Sequence, residues 1–309
     1  MLGSSSIDEE ELRAILANYE IGALCAFRSF DHGAGQTTLL LETSQRNVVL
    51  RLYENRTAAH VDFEVQLIAF LLGQGYPVPA IIEPRAGGLV GIHRDKPYLL
   101  LEFVDGEHCL NPNKGVDTAA LSSIIGAVAH LHNLTMGRAL PSISGRPRFD
   151  QAYCWQQFQR KHGHVVASSE SLRFKAAVDA LEFPETLPLG ICHADLNHGN
   201  FLLNGGTVAA VLDFDMSFYG HLVYDIASLI YWWAMPPNEP VRTETARLIL
   251  SEYRKHRTLL DVETAHILDA LKLIVLLGVG WGDPSEVRTG LDRIDELDSL
   301  NFDFLSSSV

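Results

Sequence analysis

The sequence predicts an α+β protein in two lobes: an N-terminal antiparallel β-sheet with one main helix, and a mostly helical C-terminal part. Three observations carry this. Before residue 105, short apolar runs with strand periodicity alternate with turn residues, and one helical pattern interrupts them. After residue 106, apolar residues recur at helical spacing almost to the end. Near residue 200 a polar loop and a β-hairpin break into the helical half.

Taken in order, Ser6 or Asp8 caps a short helix over Glu9–Asn18. Strands follow at Leu24–Phe30, Thr37–Glu42 and Val48–Tyr53. Val61, Val65, Ile68 and Leu72 share a helical face over Ala58–Leu72, which Gly73 and Gly75 terminate. Pro77-Val78-Pro79 breaks that pattern before a strand pair at Leu89–Ile92 and Pro97–Val104, turning around Arg94-Asp95-Lys96. The lobe boundary is set near residue 106, giving parts 1–105 and 106–309. Helices are expected over Thr118–Leu134, near 150–162 and 170–182, and again over 241–256, 263–279 and 284–297. Gly190-Ile191-Cys192 reads as a strand, and Tyr224-Asp225-Ile226-Ala227 opens another helix.

The chemistry concentrates in His193-Ala194-Asp195-Leu196-Asn197-His198-Gly199-Asn200 and, thirteen residues after Asn200, in Asp213. This order suits phosphoryl transfer, which asks a protein for positioning and charge neutralisation more than for covalent chemistry. Asp195 is the expected catalytic base for an acceptor hydroxyl. Asn200 and Asp213 are the expected Mg²⁺ ligands, converging because Phe201–Leu203, the turn Asn204-Gly205-Gly206 and Val208–Leu212 form a hairpin. Gly199 permits a tight turn between base and ligand, and His193 is expected to brace the loop. Asp225 would anchor that loop from beneath.

The early strands supply a nucleotide lobe. Asp31 to Thr38 contains Gly33 and Gly35, small residues that let backbone approach phosphates, although such a loop is also an ordinary hairpin turn. Arg51, a cation flanked by apolar residues, suits the phosphate-binding position, and Glu64 on the following helix suits its ion-pair partner. Taken singly, each also reads as a solvated surface charge. The backbone of Glu102 to Val104 is the expected adenine edge. Two other readings stay open: a phosphoester hydrolase whose metal pair is held by His193, Asp195, His198, Asp213 and Asp215, and a binding protein of the same fold without turnover.

On Val48–Tyr53, Glu64, Tyr98–Gly106, the Leu131-His132 helix end, Gly190–Asn200 and Val211–Ala227, the chain resembles the aminoglycoside phosphotransferase and choline kinase superfamily. Within it, Leu50-Arg51-Leu52-Tyr53-Glu54-Asn55-Arg56 and Ile191-Cys192-His193-Ala194-Asp195-Leu196 are most similar to the type II homoserine kinase branch. The resemblance implies a protein-kinase-like two-lobe fold, ATP and Mg²⁺ as cofactors, and γ-phosphate transfer to an alcohol. It likewise implies Asp195 as base, Asn200 and Asp213 on magnesium, and Arg51 at the phosphate-binding lysine position. One departure stands out: Gly35-Gln36 occupies the place of that branch's Glu-Asn pair. The acceptor therefore stays open among homoserine-like, aminoglycoside and amino-alcohol molecules. Asp215, Tyr219 and the Tyr231-Trp232-Trp233 cluster, Trp232 among them, are nominated for its site; such aromatics more often form core than a cage, and a cation–π surface for an ammonium group is the sharper alternative.

Composition narrows the partners. At 309 residues and 47% hydrophobic, the chain can bury real cores. A net charge of −14 argues against nucleic acid and anionic membranes. Cys25, Cys109, Cys154 and Cys192 have neither paired nor metal-type spacing. Together with a start that lacks a signal pattern, this leads to the expectation of a cytoplasmic monomer or homodimer.

Overall fold

The computed structural model describes residues 7–30, 36–109, 117–138, 148–237 and 239–300. Gly33 and Gly35 lie outside the described residues. The chain forms two compact units. Among the described residues, the first runs to His108 and takes in the distant segment Phe201–Asp215, and the second holds the rest from Cys109 onward.

In the first unit, helix α1 (Glu9–Leu16) starts at Asp8, whose carboxylate accepts the Glu11 N–H at 2.9 Å while Glu11 accepts the Asp8 N–H at 3.0 Å. Strands β1 (Leu24–Ser29), β2 (Gln36–Thr43), β3 (Asn47–Tyr53), β4 (Gly91–His93) and β5 (Lys96–Glu102) form an antiparallel sheet in the order β1-β2-β3-β5-β4. The alternation of strand side chains decides what each face does. Val48, Leu50 and Leu52 pack with Leu12, Ile15 and Leu16 of α1. Tyr53 packs with Val61 and Val65 of helix α2 (Ala58–Gly73). Arg51, two residues before Tyr53, shares that second face. A short strand β6 (Glu107–His108) ends the early part of the unit.

The second unit opens with α3 (Thr118–Thr135), capped by Asp117, and α4 (Gln151–His162), capped by Asp150. Helix α5 (Ser168–Asp179) follows, then strand β7 (Leu189–Cys192). The chain next enters the hairpin of β8 (Phe201–Asn204) and β9 (Thr207–Val211), which belongs to the first unit because β8 pairs with β6. Gly205 and Gly206 both have positive φ, the backbone a two-residue hairpin turn demands. Strand β10 (Phe218–His221) returns to pair with β7, Phe218 opposite Cys192.

Four further helices close the second unit: α6 (Val223–Ala234), α7 (Thr243–His256), α8 (Asp261–Trp281) and α9 (Val287–Ser299). Nearly every residue of α6 is buried, as are Leu271, Leu273, Leu276 and Leu277 of α8. The apolar run in α8 is therefore core, and among the described residues no helix is long and apolar enough to cross a membrane. The antiparallel sheet with its helix, followed by helices, matches the fold class expected from the sequence.

Candidate active site

The catalytic-loop segment lies between β7 and β8. Asp225, fully buried near the start of α6, accepts the His193 N–H at 2.7 Å and the Ala194 N–H at 2.9 Å. Ala194 adopts φ 70°, a left-handed conformation that Cβ disfavours, so the loop needs these anchors. The tight turn thus falls on Ala194, whereas Gly199 sits in an ordinary 3₁₀ turn over His198–Asn200. His193 is fully buried; its Nδ1 accepts the Asp195 N–H at 3.3 Å and its carbonyl accepts from Ser217 Oγ at 3.3 Å. Trp233 Nε1 adds a third support by donating to the Leu196 carbonyl at 3.0 Å.

Asp195 presents its carboxylate to two amides. Asn197 Nδ2 donates to Oδ1 at 2.8 Å, and Asn200 Nδ2 donates to Oδ2 at 3.0 Å and to the Asp195 carbonyl at 2.7 Å. These bonds fix the rotamer of the base candidate. They also turn the Asn200 amide so that its nitrogen, not its oxygen, faces Asp195.

The first unit holds a buried cluster of charges around Arg51. Arg51 is buried, and its Nη1 donates to Glu64 Oε1 at 3.2 Å. Its Nη2 donates to Asp213 Oδ1 and its Nε to Gln36 Oε1, both in close contact. Glu64 is buried as well, and Tyr53 Oη donates to its Oε2 at 2.7 Å. Burial by itself would lower the Arg51 pKa, but the neighbouring Asp213 and Glu64 carboxylates outweigh it, and the guanidinium stays protonated. Burial raises the Glu64 pKa despite the opposing pull of Arg51. Asp213 stands at φ 63°, a left-handed position, with its side chain about a third exposed.

The segment from residue 26 to 259 matches the model of the phosphotransferase enzyme family. The chain belongs to the phosphotransferase enzyme family, on its homoserine-kinase-like branch. It is 30% identical over 267 residues to a homoserine kinase of Rhodopseudomonas palustris, covering 84% of this chain and 79% of that one. A homoserine kinase of Nitrobacter winogradskyi is 28% identical over 270 residues, with the same shares covered. Among solved structures, a microcompartment-associated aminopropanol kinase superposes with a TM-score of 0.73 at 21% identity, covering 97% of this chain and 98% of that one. An amicoumacin kinase in complex with AMP-PNP and Ca²⁺ gives a TM-score of 0.74 at 19% identity, over 97% of each chain. These relatives make the chain a small-molecule kinase that phosphorylates an alcohol hydroxyl.

Other residues of this phosphotransferase are placed in ways the sequence did not announce. Asp215 is buried, taking two hydrogen bonds from Arg56 Nε at 2.9 and 3.0 Å, one from Arg56 Nη2 at 2.6 Å, and contact with His60 Nε2 at 3.1 Å. Burial would raise its pKa, yet His60 and Arg56 together hold it well below the usual carboxylate range. Its charge is thus committed inside the first unit. Tyr219 lies on β10 opposite Ile191, and Trp232 is half-exposed with its ring edge-on to Tyr231 at 5.2 Å. Of the aromatic trio on α6, Trp233 is the one that reaches the loop.

The Glu102 N–H donates to the Ala80 carbonyl at 2.8 Å, so that donor of the expected adenine edge is already engaged. Among the described residues, no group of three or more His, Cys, Asp or Glu side chains is arranged to hold a metal ion, as the hydrolase reading needs. Cys192 is buried, and burial pushes its thiol up. Arg56, His60, Asn197 and Gln36 are the contributors missed by the sequence reading. Asn197, two residues from Asp195, and Arg56, at the end of the Leu50–Arg56 stretch, lay inside quoted motifs; His60 carried no such signal.

Proposed function

We propose that this phosphotransferase uses ATP and Mg²⁺ to phosphorylate the hydroxyl of a small, amine-bearing alcohol of the homoserine or amino-alcohol type. The observation that carries the reading is the carboxylate of Asp195, aimed by Asn197 and Asn200 on a loop that Asp225 pins. Asp195 accepts the hydroxyl proton as the oxygen attacks phosphorus, and the two amides hold its lone pairs in direction. Arg51 takes the nucleotide phosphates with a planar fork already oriented by Glu64 and Gln36. Asn200 and Asp213 are the residues to hold Mg²⁺, which neutralises phosphate charge when bound. Val104 contributes backbone to the adenine, and residues 1–105 with the hairpin 201–215 form the nucleotide-binding part.

The amine-bearing acceptor is supported by the names of the relatives, homoserine kinases and an aminopropanol kinase among them. A net charge of −14 suits a substrate carrying an ammonium group. The test is acceptor-dependent ADP release with ATP and Mg²⁺ over a panel of homoserine, 1-amino-2-propanol, choline, an aminoglycoside and glycerol. Turnover confined to the amine-bearing alcohols is expected. Phosphate-ester hydrolysis without nucleotide, or glycerol turned over as well as homoserine, overturns the reading.

A further inference from the structure

Behind the catalytic loop runs a file of buried polar groups that phosphoryl transfer does not itself use. All belong to the second unit. Glu263 at the start of α8 accepts from Arg257 Nη1 at 2.8 Å and from Nη2 at 3.2 Å. Arg257 Nη1 also donates to Tyr253 Oη at 3.2 Å. Tyr253 Oη lies 2.6 Å from His132 Nδ1, and His132 Nε2 lies 3.2 Å from Asp225 Oδ2. Glu263, Tyr253, His132 and Asp225 are completely buried, and Arg257 nearly so.

The chemistry of the groups gives the file one direction. A guanidinium only donates, so the Tyr253 oxygen is an acceptor toward Arg257. Burial keeps the phenol protonated, and its single hydrogen points to His132 Nδ1. Nδ1 therefore accepts, and the ring hydrogen resides on Nε2, facing the Asp225 carboxylate. The opposite tautomer would strip the phenol hydrogen of its acceptor inside the fold, a costly arrangement. Asp225 in turn holds the N–H groups of His193 and Ala194, the latter in its left-handed conformation one residue before Asp195.

We infer that Tyr253 and Arg257 are positioning residues of the catalytic loop: they fix the ring hydrogen of His132 on Nε2, and so the carboxylate that holds Ala194 and, with it, Asp195. The inference rests on the reading of Asp195 as the base, but two of its three tests need no turnover.

The experiment compares wild type, Tyr253→Phe and Arg257→Lys. Nitrogen-15 spectra of histidine-labelled protein, with His132 assigned by a His132→Gln variant, read the tautomer. Amide exchange at His193 and Ala194 reads the loop, and steady-state kinetics reads the outcome. Wild type should show a neutral His132 with hydrogen on Nε2. Tyr253→Phe, which keeps the ring but removes the donor, should lose that signature and speed exchange at both amides. Its kcat should fall about tenfold, the effect of one unpartnered buried group, with KM values little changed. Arg257→Lys keeps a donor and should retain most of the rate.

A wild-type His132 with hydrogen on Nδ1 overturns the inference, as does Tyr253→Phe with unchanged amide exchange. If Tyr253→Phe does not fold, the wild-type tautomer still decides. Should tautomer and exchange behave as expected while no acceptor is phosphorylated, the kinase reading fails and the positioning file stands.

Discussion

Replacing Glu64 by glutamine separates what its charge does for folding from what it does for the nucleotide. Arg51 and Glu64 face each other at 3.2 Å inside the first unit, and the gross attraction at an effective dielectric constant of about 20 is about 5 kcal/mol. Against it stands the cost of taking the carboxylate out of water, several kcal/mol for a buried ion. The raised pKa of Glu64 shows that burial outweighs the pull of Arg51. Arg51 also keeps Asp213 as a counter-charge when Glu64 is neutral. Glutamine keeps its one carbonyl oxygen for Arg51, and its amide nitrogen can donate to the Tyr53 oxygen, which reverses that bond. Glu64→Gln should therefore change folding stability by no more than about 1 kcal/mol. Glu64→Ala, which leaves a void and strands the Tyr53 hydroxyl, should cost about 2–4 kcal/mol.

The pH dependence has a definite sign. Because the folded pKa of Glu64 lies above its unfolded value, the native state keeps a proton that the unfolded chain releases between the two. Stability from this group therefore falls as pH rises through that window, and Glu64→Gln should flatten it. Urea unfolding at a series of pH values measures both effects, with an unchanged m value as the check on two-state behaviour. In parallel, both variants should raise the KM for ATP and lower kcat, alanine more than glutamine. Arg51→Ala combined with Glu64→Ala should be little worse than Arg51→Ala alone. A loss above about 3 kcal/mol in Glu64→Gln would mean that the charge itself holds the fold, which refutes the balance drawn here.

Further outcomes concern the other charges. Asp195→Asn should lower kcat by about 10²–10⁴-fold with ATP affinity near wild type, measured by single-turnover kinetics and nucleotide titration; a mutant with most of its activity removes Asp195 from the role of base. Asp213→Ala should abolish productive Mg·ATP binding, while Asn200→Ala should be rescued better by raised Mg²⁺, since a carboxylate holds a hard dication more strongly than an amide; equal and full activity of both removes them from the metal. Asp215, held below the usual carboxylate range chiefly by His60 and Arg56 against the effect of burial, stabilises the fold above its unfolded pKa, near 3.9 for a free aspartate. That stability should drain away as pH falls below about 4, and Arg56→Met should remove most of the drop; acid melts of the two proteins that run parallel would contradict it.

Much of this molecule was readable residue by residue. The capped helix at Asp8, the Ala58 helix, the hairpin after Asn200 and the order of Asp195, Asn200 and Asp213 all rest on short-range rules. Caps, periodicity and turn residues act within a few positions, so a linear string displays them. The pairing of Arg51 with Glu64 was reachable for the same reason: strand alternation puts Arg51 on the Tyr53 face, and helix α2 covers it. What the string could not display is which distant groups share a charge. Asp213 meets Arg51 across 162 positions, Asp215 meets Arg56 across 159, and His132 meets Tyr253 across 121. Nothing periodic links such residues. Their partnership arises only when the hairpin after Asn200 docks on β6, and when α7 comes to lie against α3. The left-handed turn at Ala194 belongs to the same class. By local preference it would have gone to Gly199, and the buried carboxylate of Asp225 holds it where it is.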